Sequence, residues 1–147
     1  MIRATVDTNI LIYAVDIDAG SKHVLAARVV EILSEHKSVL PLQCLSEFYQ
    51  ATTKKHTLEA ADAASLVQQF HASMEVIPST VEDLMSAMQI HQQHSVQFFD
   101  ALLIATARRA GCHTFFTEDM QDGRSFEGIT IRSPFRLSPE ELSRLLT

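Results

Sequence analysis

Residues 2–15 read IRATVDTNILIYAV, and this stretch indicates the class of fold. Residues 2–6, which are apolar apart from Arg3 and Thr5, are typical of a short buried strand, and residues 8–15 are typical of the helix that follows it. Asp7 lies at the junction between the two segments. A lone Asp in such a place most often caps a helix. The alternative is a metal ligand at the end of a sheet. The other acidic residues of the chain bear on which of the two roles Asp7 has.

The rest of the sequence alternates in the same way. We predict further strands at residues 39–41, 75–78, 113–116 and 129–132 and helices at residues 23–36, 42–55, 58–71, 79–91, 100–110 and from 138 onward. Parallel strands need such crossovers, so this order predicts an α/β fold of three layers, with a central parallel sheet and helices on both faces. Neither a repeat nor a linker interrupts it, and we expect one domain over residues 1–147.

Composition excludes several classes of protein. The chain has 147 residues, 46% of them hydrophobic, and no apolar run is long enough to span a membrane. It shows no signal peptide, so we expect a cytoplasmic protein. Cys44 and Cys112 are too few for a disulfide framework or a zinc site. The net charge of −6 is weak evidence against nucleic-acid binding, because acids gathered around a cation would leave the other surfaces closer to neutral.

Acidic residues stand at the predicted strand ends, where ligands bind in sheets of this kind. Asp7 follows the first strand, Asp119 follows residues 113–116, and Asp100 opens the helix that leads into that strand. Glu47 lies inside the helix at residues 42–55. Taken singly, each has an ordinary explanation: a helix cap for Asp7 and Asp100, a turn for Asp119 and a solvated side chain for Glu47.

Taken together, the four acids favour a metal site. Two carboxylates about 6 Å apart repel by roughly 3 kcal/mol at an effective dielectric constant near 20. Four converging carboxylates would therefore need a cation to remain ionised. Oxygen ligands without nearby imidazole or thiolate suit Mg²⁺ or Mn²⁺.

Four sequence blocks carry a resemblance to a known family. They are VDTNILIYAVD from residue 6, LSEFYQATTKK from residue 45, FFDALLIATA from residue 98, and FFTEDMQDG from residue 115 followed by IRSPF. In this order they resemble the PIN domain, and within it the VapC toxins of toxin–antitoxin pairs. The resemblance covers nearly the whole chain, from residue 2 to residue 135.

The resemblance implies a ribonuclease that depends on Mg²⁺ or Mn²⁺ and leaves 5′-phosphate and 3′-hydroxyl ends. Its acidic quartet matches four residues of this chain: Asp7, Glu47, Asp100 and Asp119. Asp7, Asp100 and Asp119 would hold the metal, and Glu47 would complete the site or orient a water molecule. Asn9 and Thr117 match the supporting polar positions. The family's Thr-x-Asp pattern assigns the fourth acid to Asp119 instead of its neighbour Glu118.

The resemblance also implies partners: an RNA substrate, an antitoxin whose tail fills the acidic groove, and a second copy of the chain in a homodimer. Basic residues that could hold the RNA are Lys54, Lys55 and Arg124. Two alternatives share the fold: a stand-alone PIN nuclease in RNA processing, and a module that binds nucleotide or protein without catalysis. A phosphate-accepting receiver domain is disfavoured, because the chain lacks an acidic pair after the first strand and a Lys after the last.

Overall fold

The computed structural model describes residues 2–147, which form six strands and seven α-helices. The strands are Ala4–Val6 (β1), Val39–Pro41 (β2), Glu75–Ile77 (β3), Thr114–Phe116 (β4), Ser125–Phe126 (β5) and Ile129–Arg132 (β6). The helices are Thr8–Val15 (α1), Ser21–Glu35 (α2), Leu42–Lys54 (α3), Ala60–Ser73 (α4), Val81–His94 (α5), Phe98–Arg109 (α6) and Pro139–Leu145 (α7). Two short 3₁₀ turns, Ile17–Ala19 and Pro134–Arg136, complete the order.

The strands lie mostly parallel, as the sequence predicts. One sheet has the order β1-β4-β6-β5, in which β1, β4 and β6 are parallel and β5 is antiparallel to β6. A second parallel pair consists of β2 and β3. The hydroxyl of Thr5 donates to the carbonyl of Val39 at 2.7 Å, so β2 lies beside β1. The α/β class with a parallel central sheet is thereby confirmed.

Both faces of the sheet are covered. Phe115 and Phe116 are neighbours in β4, so their side chains point to opposite faces. Neither ring is exposed to solvent, and the same holds for Val6 and Ile131 in the flanking strands. Strands β1 and β4 are buried at every position, whereas β6 alternates, because Thr130 and Arg132 are only partly buried.

The structure corrects some predicted boundaries. Helix α6 begins at Phe98, two residues before Asp100, because the side chain of Gln97 caps the helix by accepting from the amide of Asp100 at 3.0 Å. Asp100 therefore lies in the first turn and is not the cap. Strand β5 was not predicted, because two residues give no pattern. It forms a hairpin with β6 through Gly128, whose φ of 98° favours glycine.

None of the helices formed by residues 2–147 combines the length and apolar character that a membrane crossing requires.

Candidate active site

The pairing of β1 with β4 brings the first and last parts of the site together. Val6 is in register with Phe116, and the amide of Asp7 donates to the carbonyl of Phe116 at 2.8 Å. Asp7 and Thr117 therefore leave the same edge of the sheet side by side. This is the edge at which parallel sheets bind ligands.

Asp7 is both a helix cap and a member of this cluster. One carboxylate oxygen, Oδ1, accepts from the amide of Thr8 at 2.7 Å, which caps α1. The other oxygen, Oδ2, accepts from the hydroxyl of Thr117 at 2.8 Å. Only 5% of Asp7 is exposed. The cap uses only one of the two oxygens, so the two interpretations of the junction are compatible.

Thr117 connects three site residues through a single hydroxyl group. While donating to Asp7, Oγ1 accepts from the side-chain amide of Asn9 at 3.2 Å and from the backbone amide of Asp119 at 3.1 Å. Because the hydroxyl hydrogen is used toward Asp7, the amide nitrogen of Asn9 must face Thr117. The amide oxygen of Asn9 is then left buried without a partner among the described residues.

Glu47 reaches the cluster from α3, where one carboxylate oxygen accepts from the hydroxyl of Thr8 at 3.2 Å. The other oxygen accepts from the side-chain amide of Gln43. The solvated side chain expected for a lone Glu is therefore wrong here. Cys44, one turn earlier, is small and buried, and its thiol donates to the carbonyl of Val6 at the end of β1.

The carboxylates act on one another electrostatically. Burial raises the pKa of Asp7 to about 7, against the lowering effect of its hydrogen bonds from Thr117 and Thr8, and the charges of Asp100 and Glu47 raise it further. The pKa of Asp100 is also raised, mainly by burial and further by the charges of Glu47 and Asp119. The structure therefore brings all four predicted acids within electrostatic reach, and a cation would relieve their repulsion.

The donor set fits a hydrated divalent cation. Among residues 2–147, no three His, Cys, Asp or Glu side chains are close enough to enclose an ion by themselves. Mg²⁺ keeps several water ligands and usually binds only one or two carboxylates directly, so a complete protein cage is not required. The buried, unpaired oxygen of Asn9 is a further acceptor for a water molecule at the site. The assignment of Asp7, Asp100 and Asp119 as ligands stays a prediction.

Glu118 is directed away from this cluster. It forms an ion pair with Lys22 at 2.7 Å and accepts from the hydroxyl of Tyr13 at 2.9 Å. The Lys22 ammonium group is the main cause that lowers the pKa of Glu118. The chain bends at Glu118 and Asp119 instead of continuing as a strand, so these contacts, and not strand alternation, separate Glu118 from Asp119.

A cavity of about 230 Å³ opens beside the acids. Asp100, Asp119 and Arg124 line it together with Phe126 and Gln97. Arg124 donates to the carbonyl of His94 at 2.6 Å, and its guanidinium lies 4.9 Å from the centre of the Phe126 ring. This arrangement places a positive charge beside two of the four acids.

The other two predicted RNA-binding residues lie farther away. Lys54 and Lys55 are exposed at the end of α3. They follow Glu47 by two helical turns, about 10 Å along the axis. A larger cavity, of about 830 Å³, lies against Ile2, Leu25 and Leu142. Ile2 precedes β1, whereas Asp7 follows it, so this mainly apolar cavity is remote from the acids.

Sequence reasoning missed Gln43 and Gln97, and it gave Thr8 only the role of starting a helix. Gln97 caps the helix that carries Asp100, and Gln43 and Thr8 hold Glu47. A signal for Gln43 was present, since it precedes Glu47 by four residues and so shares its helix face.

Comparisons with known proteins bear on the family and the fold of the chain. A model of the PIN domain family matches residues 4–121. No curated protein matches the chain. A toxin–antitoxin complex from Klebsiella pneumoniae is similar in structure, with 19% sequence identity and a TM-score of 0.66 over 91% of this chain and 99% of that chain.

Two more solved structures have the same fold. Mycobacterium tuberculosis VapC20, a toxin that cleaves the sarcin–ricin loop, has 21% identity and a TM-score of 0.63 over 79% of this chain and 89% of that chain. VapBC2 from Rickettsia felis, bound to a DNA fragment from its promoter, has 15% identity and a TM-score of 0.66 over 88% and 97%. Because the family model spans most of the chain and all four acids, the chain belongs to the PIN domain family.

Proposed function

We propose that this protein is a ribonuclease that uses Mg²⁺ or Mn²⁺ to hydrolyse RNA phosphodiester bonds, and that it is the toxin of a type II toxin–antitoxin system. The observation that carries the proposal is the acidic cluster at the carboxyl ends of β1 and β4. Asp7 is buried there, and the charges of Asp100 and Glu47 raise its pKa. Burying acids together in this way is costly for a purely structural role.

Asp7, Asp100 and Asp119 would hold the metal, which when bound supplies a reactive water and stabilises charge on the phosphate. The side chains of the chain itself supply the rest. The hydroxyl of Thr117 fixes the orientation of Asp7. Glu47, held by Thr8 and Gln43, would orient the attacking water and accept its proton. As the water oxygen bonds to phosphorus, the bond to the 3′-oxygen breaks and that oxygen takes up a proton from solvent.

The cavity beside the acids supports an RNA substrate. Arg124 would pair with a phosphate there, and Phe126 beneath it holds the guanidinium in place. Lys54 and Lys55 would meet the RNA backbone farther along α3. Such an enzyme would act in the cytoplasm, with the whole of residues 1–147 as one domain.

Structural likeness to toxin–antitoxin proteins supports an antitoxin partner. An exposed apolar stripe on α5 supports a homodimer. Its members recur at positions i, i+3, i+4 and i+7, the spacing of one helix face: Val81, Leu84, Met85 and Met88. Between 36% and 65% of each of these residues is exposed, and apolar patches of this kind mark protein interfaces.

Cleavage assays test the catalytic role. We expect Asp7→Asn and Asp100→Asn each to abolish RNA cleavage while the protein remains folded, and EDTA to abolish wild-type cleavage. Asp62→Asn is the matched control, because Asp62 is an exposed acid in the first turn of α4. Wild-type activity in EDTA, or normal cleavage by either site variant, would contradict the proposal.

Expression separates the toxin from the two alternatives. Producing the wild type without an antitoxin should arrest growth, and producing Asp7→Asn should not. Harmless expression of an active nuclease would favour a stand-alone enzyme of RNA processing. A folded wild type that cleaves no RNA with Mg²⁺ or Mn²⁺ would favour the non-catalytic binding module.

A further inference from the structure

The side-chain amide of Gln43 joins α3 to the beginning of α6. Its nitrogen, Nε2, donates to Oε1 of Glu47 and also, at 3.2 Å, to the carbonyl of Phe99. Phe99 directly precedes Asp100. Both partners are acceptors, so the nitrogen of the amide must face them, and the hydrogen-bond network fixes the orientation of the group.

The oxygen of the same amide has no such role. Oε1 of Gln43 is buried, and within residues 2–147 it has no hydrogen-bond partner. A buried acceptor without a partner is unfavourable, and each case in a folded protein requires a reason. Met has nearly the same length and would fill this place without that penalty. The advantage of Gln must therefore come from the hydrogen bonds that its nitrogen donates to Glu47 and to the carbonyl of Phe99.

The nitrogen of Gln43 holds the carboxylate of Glu47 in place. Thr8 restrains Oε2 of that carboxylate from α1, and Gln43 restrains Oε1 while gripping the first turn of α6. Thr8 adjoins Asp7, just as Phe99 adjoins Asp100. The two hydrogen bonds consequently fix Glu47 relative to both of these acids. With Gln43 removed, only the bond from Thr8 would remain to restrain a flexible side chain.

We propose that Gln43 is a positioning residue of the active site. It holds Glu47 in a fixed position relative to Asp7 and Asp100. The effect on rate rests on the proposed nuclease function, whereas the restraint on Glu47 does not. Gln43 does not touch the reacting atoms and acts only through Glu47.

Steady-state kinetics test the effect on rate. Gln43→Met removes the amide at nearly constant length, and Gln50→Met is the control, because Gln50 is exposed on the same helix. We expect Gln43→Met to lower kcat by about tenfold to a hundredfold, the size of effect that a misplaced group produces, with KM unchanged. Gln43→Glu should not restore kcat, because a carboxylate cannot donate to Glu47. A kcat equal to that of Gln50→Met, or a change in KM alone, would overturn the proposal.

A double-mutant cycle tests the restraint without any assay of activity. The change in Tm caused by Gln43→Met is measured in the wild type and in Glu47→Ala. We expect Gln43→Met to lower the Tm more in the wild type, where Glu47 is present, than in Glu47→Ala. Equal changes in the two backgrounds would overturn the positioning of Glu47 even in an active enzyme. If the two substitutions are coupled but the wild type cleaves no RNA, the proposed function is overturned and the restraint on Glu47 is established.

Discussion

Asp7 is the residue whose position in the sequence is most informative about the function. Its place between an apolar strand and a helix predicted both a cap and a ligand, and the structure confirms the cap through one oxygen. Burial and neighbouring charges then raise the pKa of the same carboxyl to about 7. No sequence pattern could give that value, because it depends on residues as distant along the chain as Glu47 and Asp100.

The raised pKa predicts how stability depends on pH in the absence of metal. The pKa of the Asp7 carboxyl is about 7 in the folded protein, against its ordinary value of 3.8 in the unfolded chain. Between these values the folded protein binds more protons than the unfolded chain. The free energy of unfolding should therefore fall as pH rises from about 4 to about 7, by on the order of 4 kcal/mol at most. The raised pKa of Asp100 acts in the same direction.

Urea unfolding in EDTA at about pH 5 and about pH 7.5 measures this dependence. Asp7→Asn keeps a side-chain acceptor for the helix cap and removes the ionisable group. The variant should gain stability relative to the wild type as pH rises. A difference between the two proteins that is the same at both pH values would contradict the pKa assigned to Asp7.

The neighbours Glu118 and Asp119 should behave differently when they are substituted. Asp119→Ala should remove most of the cleavage activity and weaken Mn²⁺ binding measured by titration calorimetry, because Asp119 lines the cavity with Asp100. Glu118→Ala should alter both by only a few-fold, since Glu118 is engaged with Lys22 and Tyr13. A larger loss of Mn²⁺ affinity in Glu118→Ala would reverse the assignment of the fourth acid.

At the scale of elements, periodicity predicted the long segments well. Helix α1 and strands β2 and β6 have the expected bounds. The side chains that fasten elements together were harder to predict. Nothing in the sequence distinguishes Arg109 from an ordinary surface residue, yet it donates to both carboxylate oxygens of Asp83 at 2.9 Å and to the carbonyl of Pro78. Such contacts depend on the packing of α5 against α6, which a local pattern does not contain.

Asp83 should accordingly be important for stability. It accepts from the amide of Thr80 in a capping box and pairs with Arg109, and its side chain is only 3% exposed. We expect Asp83→Ala to lower the free energy of unfolding by about 1–3 kcal/mol, because it removes a cap and an ion pair whose Arg109 side chain is 40% exposed. Glu82→Ala, at the exposed position before it, is the control for urea denaturation. A loss no larger than that of the control would show that the pair contributes little.

For the whole molecule, the net charge of −6 gave little guidance, whereas the distribution of apolar residues gives more. The helical stripe on α5 exposes four large apolar side chains on one face. The sequence alone did not separate this stripe from a core face, because both have the same spacing. Only the packing of α5 in the structure shows which of its residues stay outside.

If the α5 stripe forms the homodimer, one charge within it should separate the two copies. We expect Met85→Glu to shift the protein from dimer to monomer in sedimentation velocity. Ile17→Glu should have no effect, because Ile17 is 79% exposed in a turn that precedes α2. Two outcomes would count against this face: a Met85→Glu protein that remains dimeric, and a wild type that is already monomeric at the same concentration.

The pairing of β1 with β4 also has a consequence for synthesis on the ribosome. Ala4 pairs with Thr114, and the hydroxyl that fixes Asp7 comes from Thr117, 110 residues later in the chain. In a nascent chain Asp7 leaves the ribosome long before β4, the strand that pairs with β1. If the protein is a toxic nuclease, activity would begin only after Thr117 has emerged. Fragments from translation that stops before Thr117 would then be harmless to the cell that makes them.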